Sequence, residues 1–166
     1  MNESVKELPL HYESRVELKV PAETVFAYLD DHKRLSAHMS RSSWMMAGAH
    51  MNIELDAAQG HAPGSTIRLS GRVLGIPLAV EEVVTGYAPP LRKSWATSDT
   101  PELLVIGHYR MGFDITPLGS ASQLRIFIDY ALPESKPARW LGMLFGSCYA
   151  RWCVRRMTGD AERYLR

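Results

Sequence analysis

The sequence predicts an α+β domain in which a curved antiparallel β-sheet of about seven strands wraps around one long C-terminal helix. Two short helices are expected after the first strand. Three observations lead there. Apolar and polar residues alternate with a period of two in successive stretches from Tyr12 to Leu132. A helical apolar period is sustained only at the end, from Pro137 to about Leu165, over enough length for one helix to cover a sheet face. No repeat, glycine linker or low-complexity stretch divides the 166 residues, so residues 12–166 read as a single domain behind a short N-terminal extension, 1–11.

The first strand is expected over Tyr12 to Val20. Tyr12, Ser14, Val16, Leu18 and Val20 take one face, and Glu13, Arg15, Glu17 and Lys19 take the other. Pro21 suits a first helical turn, and Val25, Phe26 and Leu29 form the stripe of a short helix. A second helical piece follows from Asp31 to about His38, with Leu35 inward. The segment from Ser40 has no clean period and reads as a loop leading into a strand at Met51 to Asp56.

Beyond the turn at Gly60 to Gly64, Thr66–Leu74 and Leu78–Tyr87 read as a hairpin joined through Gly75, Ile76 and Pro77. The next strand runs from Leu91 to Thr97. Leu103, Val105, Gly107, Tyr109, Met111, Phe113 and Ile115 then share one parity, which puts His108, Arg110 and Asp114 on the outer face. Leu124, Ile126, Ile128, Tyr130 and Leu132 repeat the pattern until Pro133. In the final helix, Leu141, Phe145, Cys148 and Trp152 make one stripe, and Tyr149, Cys153, Met157, Ala161 and Tyr164 the other. Gly142, Gly146 and Ala150 recur beside them, where small side chains either permit close approach or leave space.

Bulk composition excludes several function classes. A hydrophobic share of 46% is that of a globular chain, and 19 basic against 18 acidic residues give a net charge of +1, too little to steer nucleic acid. The N-terminal residues lack an apolar signal region, and the most apolar stretch, Trp140 to Val154, is too short to span a bilayer. Cys148 and Cys153 lie five apart on a helix, out of phase for a disulfide. Free thiols and a cytoplasmic address are the expectation.

Four segments carry a family resemblance: VELKVPAETVFAYLDD, PGSTIRLSGRVLGIPLAVEEVV, IGHYRMGFDITPLG and LRIFIDYALP. With them the chain resembles the START-like superfamily over nearly its whole length. It is similar to the branch of polyketide cyclase/dehydratase and lipid transport proteins, and to the birch-pollen allergen fold. The resemblance implies a helix-grip fold with a cavity between the concave sheet face and the C-terminal helix. That superfamily spans carriers, receptors and cyclases without a shared catalytic motif, so no catalytic role is carried over.

Trp95, Tyr109, Met111, Tyr130, Phe145, Cys148 and Trp152 are the expected ligand-binding wall, with core packing as the plain alternative. Trp44, Met45 and Met46 read as an apolar lip or as a plug at one end of the core. Of the adjacent Glu81 and Glu82, one must face the concave side. A wet rim is the first reading for it, an ion pair with Arg68 or Arg72 the second, and a catalytic acid or base the third. The histidines 11, 32, 38, 50, 61 and 108 show no metal-ligand spacing and read as structural or surface groups. Gly71, Gly75, Gly107 and Gly112 read as bends or bulges.

The leading functional expectation is binding or transport of a small hydrophobic molecule (a lipid, aromatic or polyketide-like compound) without cofactor or metal. Its partners exclude nucleic acid, and a homodimer is compatible with the sequence. An enzyme of the cyclisation or dehydration type, using cavity tyrosines or the inward glutamate, is the alternative. A structural or regulatory module is the third.

Overall fold

In the computed structural model the described residues are 7–35, 50–73 and 75–166. In order, they form β1 (Leu10–Leu18), α1 (Ala22–Leu29), α2 (His32–Leu35), β2 (His50–Leu55), β3 (Thr66–Val73) and β4 (Ile76–Ala88). β5 (Arg92–Thr97), β6 (Tyr109–Leu118), β7 (Ala121–Tyr130) and the 29-residue helix α3 (Lys136–Tyr164) complete the chain. The seven strands make one curved antiparallel sheet in the order β1-β7-β6-β5-β4-β3-β2. This is the helix-grip α+β fold that the sequence predicts.

Alternation decides which side chains enter. Tyr109, Met111, Phe113 and Ile115 of β6 and Leu124, Ile126, Ile128 and Tyr130 of β7 are buried on the concave face. Each such side chain withdraws enough apolar surface to contribute roughly 1.5–3 kcal/mol. Helix α1 closes one end, with Phe26 meeting Tyr87 and Phe113 edge-on at ring separations of 5.8 and 5.6 Å. The convex face carries ion pairs instead. Arg125 bridges Glu13 and Asp114, each at 2.7 Å, and holds the Glu13 carboxyl down at about 2.

Several expectations are corrected. β1 starts at Leu10, paired with Tyr130, two residues before the strand start expected at Tyr12. The long alternating run divides, since β6 begins only at Tyr109. Before it, an isolated bridge joins Glu102 to Ala79, and Gly107 lies so close to the Leu132 carbonyl that a Cβ would sit 2.7 Å from it. His108 is not on the outer face: it is buried, with Nδ1 3.1 Å from the Thr97 hydroxyl. The register break lies between Val84 and Gly86; pairing runs regularly through Gly71 and Gly112, while Gly75 takes a left-handed φ of 81° between β3 and β4. The expected apolar lip at Trp44, Met45 and Met46 lies outside the described residues.

The largest correction concerns α3. Its buried face is the small-residue stripe, Gly142, Gly146 and Ala150, continued by Cys153, Val154, Met157 and Ala161. A Cβ at Gly142 would stand 2.9 Å from the Val105 carbonyl oxygen, and at Gly146 2.8 Å from the same atom. The glycines therefore serve close approach, not open space. With that face inward, the stripe of Leu141, Phe145 and Cys148 turns to solvent.

Candidate functional site

Strand β4 sends Leu78, Val80, Glu82 and Val84 to the concave face by simple parity. Three of these are apolar and the fourth is a carboxylic acid with 5% of its surface exposed. Glu81, its neighbour, points outward and pairs with Arg68 at 2.6 Å. The arginine pairing anticipated for an inward glutamate thus belongs to the outward one.

Glu82 accepts a short hydrogen bond from the Tyr109 hydroxyl, and the Trp95 indole N–H also donates to it. Neither donor is charged. Burial pushes the Glu82 carboxyl up to about 7, against the pull of its two donors. Burial likewise raises the Tyr109 hydroxyl well above its ordinary value. Across from them on α3, the Tyr149 hydroxyl meets Cys153, whose thiol is pushed up to about 12 by burial. A thiol so held is no nucleophile.

These groups line an internal cavity of about 60 Å³ between β4, β5, β6 and α3. Glu82, Tyr109, Tyr149, Trp95 and Cys153 are the lining residues with polar groups, and three methionines, Met51, Met111 and Met157, form part of the apolar wall. Leu35 and Met51 also line it. The volume is about that of two waters at roughly 30 Å³ each, and far below the roughly 300–1,000 Å³ of drug-sized ligand pockets. What the arrangement can do chemically is hold or exchange one proton at the Glu82 carboxyl, in a site where water is nearly excluded.

Of the expected wall residues, the structure brings Trp95, Tyr109 and Met111 to this cavity. Tyr130 is buried in the core beside Gly146, outside the cavity lining. Trp152 is partly buried, its ring 5.9 Å from that of Tyr149. Phe145, 54% exposed, and Cys148 stand on the opposite side of α3, because Gly142 and Gly146 face the sheet. The stripe containing Tyr149, Cys153 and Met157 supplies the wall in their place. Glu82 was legible from its shared parity with Leu78, Val80 and Val84. The apolar Ala79 and Val83 on the other parity blurred that signal.

A second acid, half-buried, stands at the end of α1. Asp30 pairs with Lys93 at 2.5 Å and accepts from the Tyr87 hydroxyl at 2.8 Å. The neighbouring His32 is buried edge-on to Trp95, and burial together with Lys93 lowers its imidazole to about 3, so it is neutral. Among the described residues no group of three or more His, Cys, Asp or Glu side chains is placed to hold a metal.

A family model described as polyketide cyclase / dehydrase and lipid transport matches residues 9–164. Among solved structures, the Zhui aromatase/cyclase from Streptomyces sp. R1128 superposes with a TM-score of 0.63 at 19% identity, covering 95% of this chain and 96% of its own. Norcoclaurine synthase from Thalictrum flavum gives 0.64 at 10% identity over 99% and 93%. The protein Ara h 8.0201 gives 0.60 at 11% over 94% and 97%. At such identities the likeness is one of fold. No curated protein sequence matches this one.

Proposed function

The chain belongs to the polyketide cyclase / dehydrase and lipid transport family, and from that premise we propose that it binds a small, largely apolar molecule in the cavity beneath α3. Glu82 and Tyr109 meet the molecule's polar group there. One observation carries this reading. Glu82 faces an apolar cavity with only neutral donors among its described partners, an arrangement that costs folding free energy. Packing alone has no use for such a group, whereas a ligand can supply what it lacks. At about 60 Å³ the cavity admits a molecule larger than two waters only if its lining gives way. Met51, Met111 and Met157, unbranched and adaptable, are the side chains suited to that.

Native mass spectrometry of gently purified protein, followed by titration with fatty acids and aromatic alcohols, tests this directly. Binding is expected, with Glu82→Gln weakening polar-headed compounds by about tenfold more than their hydrocarbon counterparts. A protein that takes up nothing, with the cavity still closed in crystals grown from saturated ligand, ends the proposal.

A second reading, acid–base catalysis on an aromatic or polyketide-like substrate, is favoured by the Glu82 carboxyl standing at about 7, where it can both give and take a proton near neutral pH. Turnover whose pH profile breaks near 7 and disappears in Glu82→Gln supports it. Turnover indifferent to that substitution removes Glu82 from the role.

A further inference from the structure

The first turns of α3 leave Trp140, Leu141, Met143, Leu144 and Phe145 exposed, with Trp140 at 65%. Only Gly142 and Gly146 of this stretch are buried. Next to it the tip of the β3–β4 hairpin exposes Ile76. Between the two runs an open groove of about 500 Å³, lined by Ile76, Pro77, Pro137 and Leu141. Leu78 and Leu103 line both this groove and the internal cavity, so two side chains separate the patch from the buried site.

Charge points to the occupant. Beside the exposed turns the helix carries Lys136 and Arg139, while Arg151 and Arg155 lie against Tyr12 and Arg156 pairs with Asp160. Lys136 and Arg139 are exposed beside the apolar turns. Glu102 and Glu134 are the acidic groups on the groove. An apolar surface holding tryptophan, phenylalanine and leucine, flanked by lysine and arginine, matches the interface of an anionic bilayer, where aromatic rings sit at headgroup level. No helix among the described residues is long and apolar enough to cross a membrane, so the fit is to lying on one.

We propose that the N-terminal turns of α3, with Ile76 at the start of β4 beside them, dock on an anionic lipid surface. The apolar side chains enter the acyl boundary, and Lys136 and Arg139 remain among the phosphates. This surface stands apart from the Glu82 site, and the docking holds whether or not the cavity takes a ligand.

The test is co-sedimentation of the full chain with phosphatidylcholine vesicles, with and without phosphatidylglycerol. Binding is expected to the anionic vesicles, accompanied by a blue shift of tryptophan emission that Trp140→Phe reduces. Leu144→Ser combined with Phe145→Ser should weaken partitioning by about tenfold or more, since it removes most of the inserted apolar area. Lys136→Glu with Arg139→Glu should weaken it about tenfold at low salt and less at high salt. Both pairs are exposed, so circular dichroism should report an intact fold. Failure to bind, equal binding to zwitterionic vesicles, or binding that ignores both pairs overturns the proposal. A dimer in light scattering that disperses with Leu144→Ser and Phe145→Ser, without vesicle binding, assigns the patch to a second copy of the chain and overturns it as well.

Discussion

Two acids are withdrawn from solvent, Asp30 partly and Glu82 almost wholly, and the contrast between them lies in their partners. Asp30, at the end of α1, and Glu82, in the middle of β4, each accept a hydrogen bond from a tyrosine hydroxyl, Tyr87 and Tyr109 respectively. Asp30 also has Lys93, fully buried, at 2.5 Å, and His61 at 3.7 Å. Glu82 has the Trp95 indole and an apolar cavity. Burial lowers the Lys93 ammonium, and Asp30 offsets part of that shift from within the protein. Among the described residues no cation offsets Glu82. Asp30 has its counter-charge within the protein and anchors α1 to β5, whereas Glu82 meets only neutral donors among the described residues.

The largest effect is expected from breaking the pair of Asp30 with Lys93. Lys93→Met keeps the aliphatic volume but strands Asp30, and should cost about 3–4 kcal/mol in urea unfolding, as for other broken buried pairs. Adding Asp30→Asn should recover much of that loss. A single-variant cost below about 1 kcal/mol would mean that solvent, not Lys93, carries the Asp30 charge.

At Glu82 the sign reverses. The unfolded carboxyl ionises above its ordinary 4.5, while the folded one keeps its proton up to about 7. Between these values the folded state binds more protons, so stability falls as pH rises from 4.5 through 7 and is level above that. The full cost above pH 7 is about 3 kcal/mol at about 1.4 per pH unit. Glu82→Gln should therefore stabilise the protein by about 2 kcal/mol at pH 8, after allowance for imperfect amide hydrogen bonds. It should change stability little at pH 5. A Glu82→Gln protein with the parent's pH slope would place that slope elsewhere.

The sequence disclosed this contrast only in part. The order of elements along the chain, the long helix and the inward parities of β6 and β7 were legible because each strand repeats its pattern over many residues, and one slip would expose the whole set. The face of α3 was not, because Leu141 and Phe145 promise burial by hydrophobicity while Gly142 and Gly146 obtain it by backbone contact with Val105. Apolar residues surround those turns, so periodicity alone cannot orient them. Tyr109, Trp95 and Met111 were found at the site as residues of a regular sheet; Tyr149, Cys153 and Met157 were recognised as a stripe but not as its wall. Lys93 and Asp30 gave no signal, since they lie 63 positions apart and no local pattern links them.

The smallest effect is also the sharpest comparison, because the same atom can be removed at both acids. Tyr87→Phe deletes one donor to Asp30 and leaves Lys93 in place, so a loss of about 1 kcal/mol is expected. Tyr109→Phe deletes one of the two donors that hold down the Glu82 carboxyl. Its proton should then persist above pH 7, which carboxyl carbon resonances in selectively labelled protein would report directly. The hydrogen bond itself is again worth about 1 kcal/mol at pH 5. At pH 8 the loss should be larger, since ionising Glu82 now costs more in the folded state and nothing more in the unfolded one. A Tyr109→Phe loss that is the same at both pH values, with an unmoved carboxyl titration, would show that water already serves Glu82 in the cavity. The two acids would then differ only in depth.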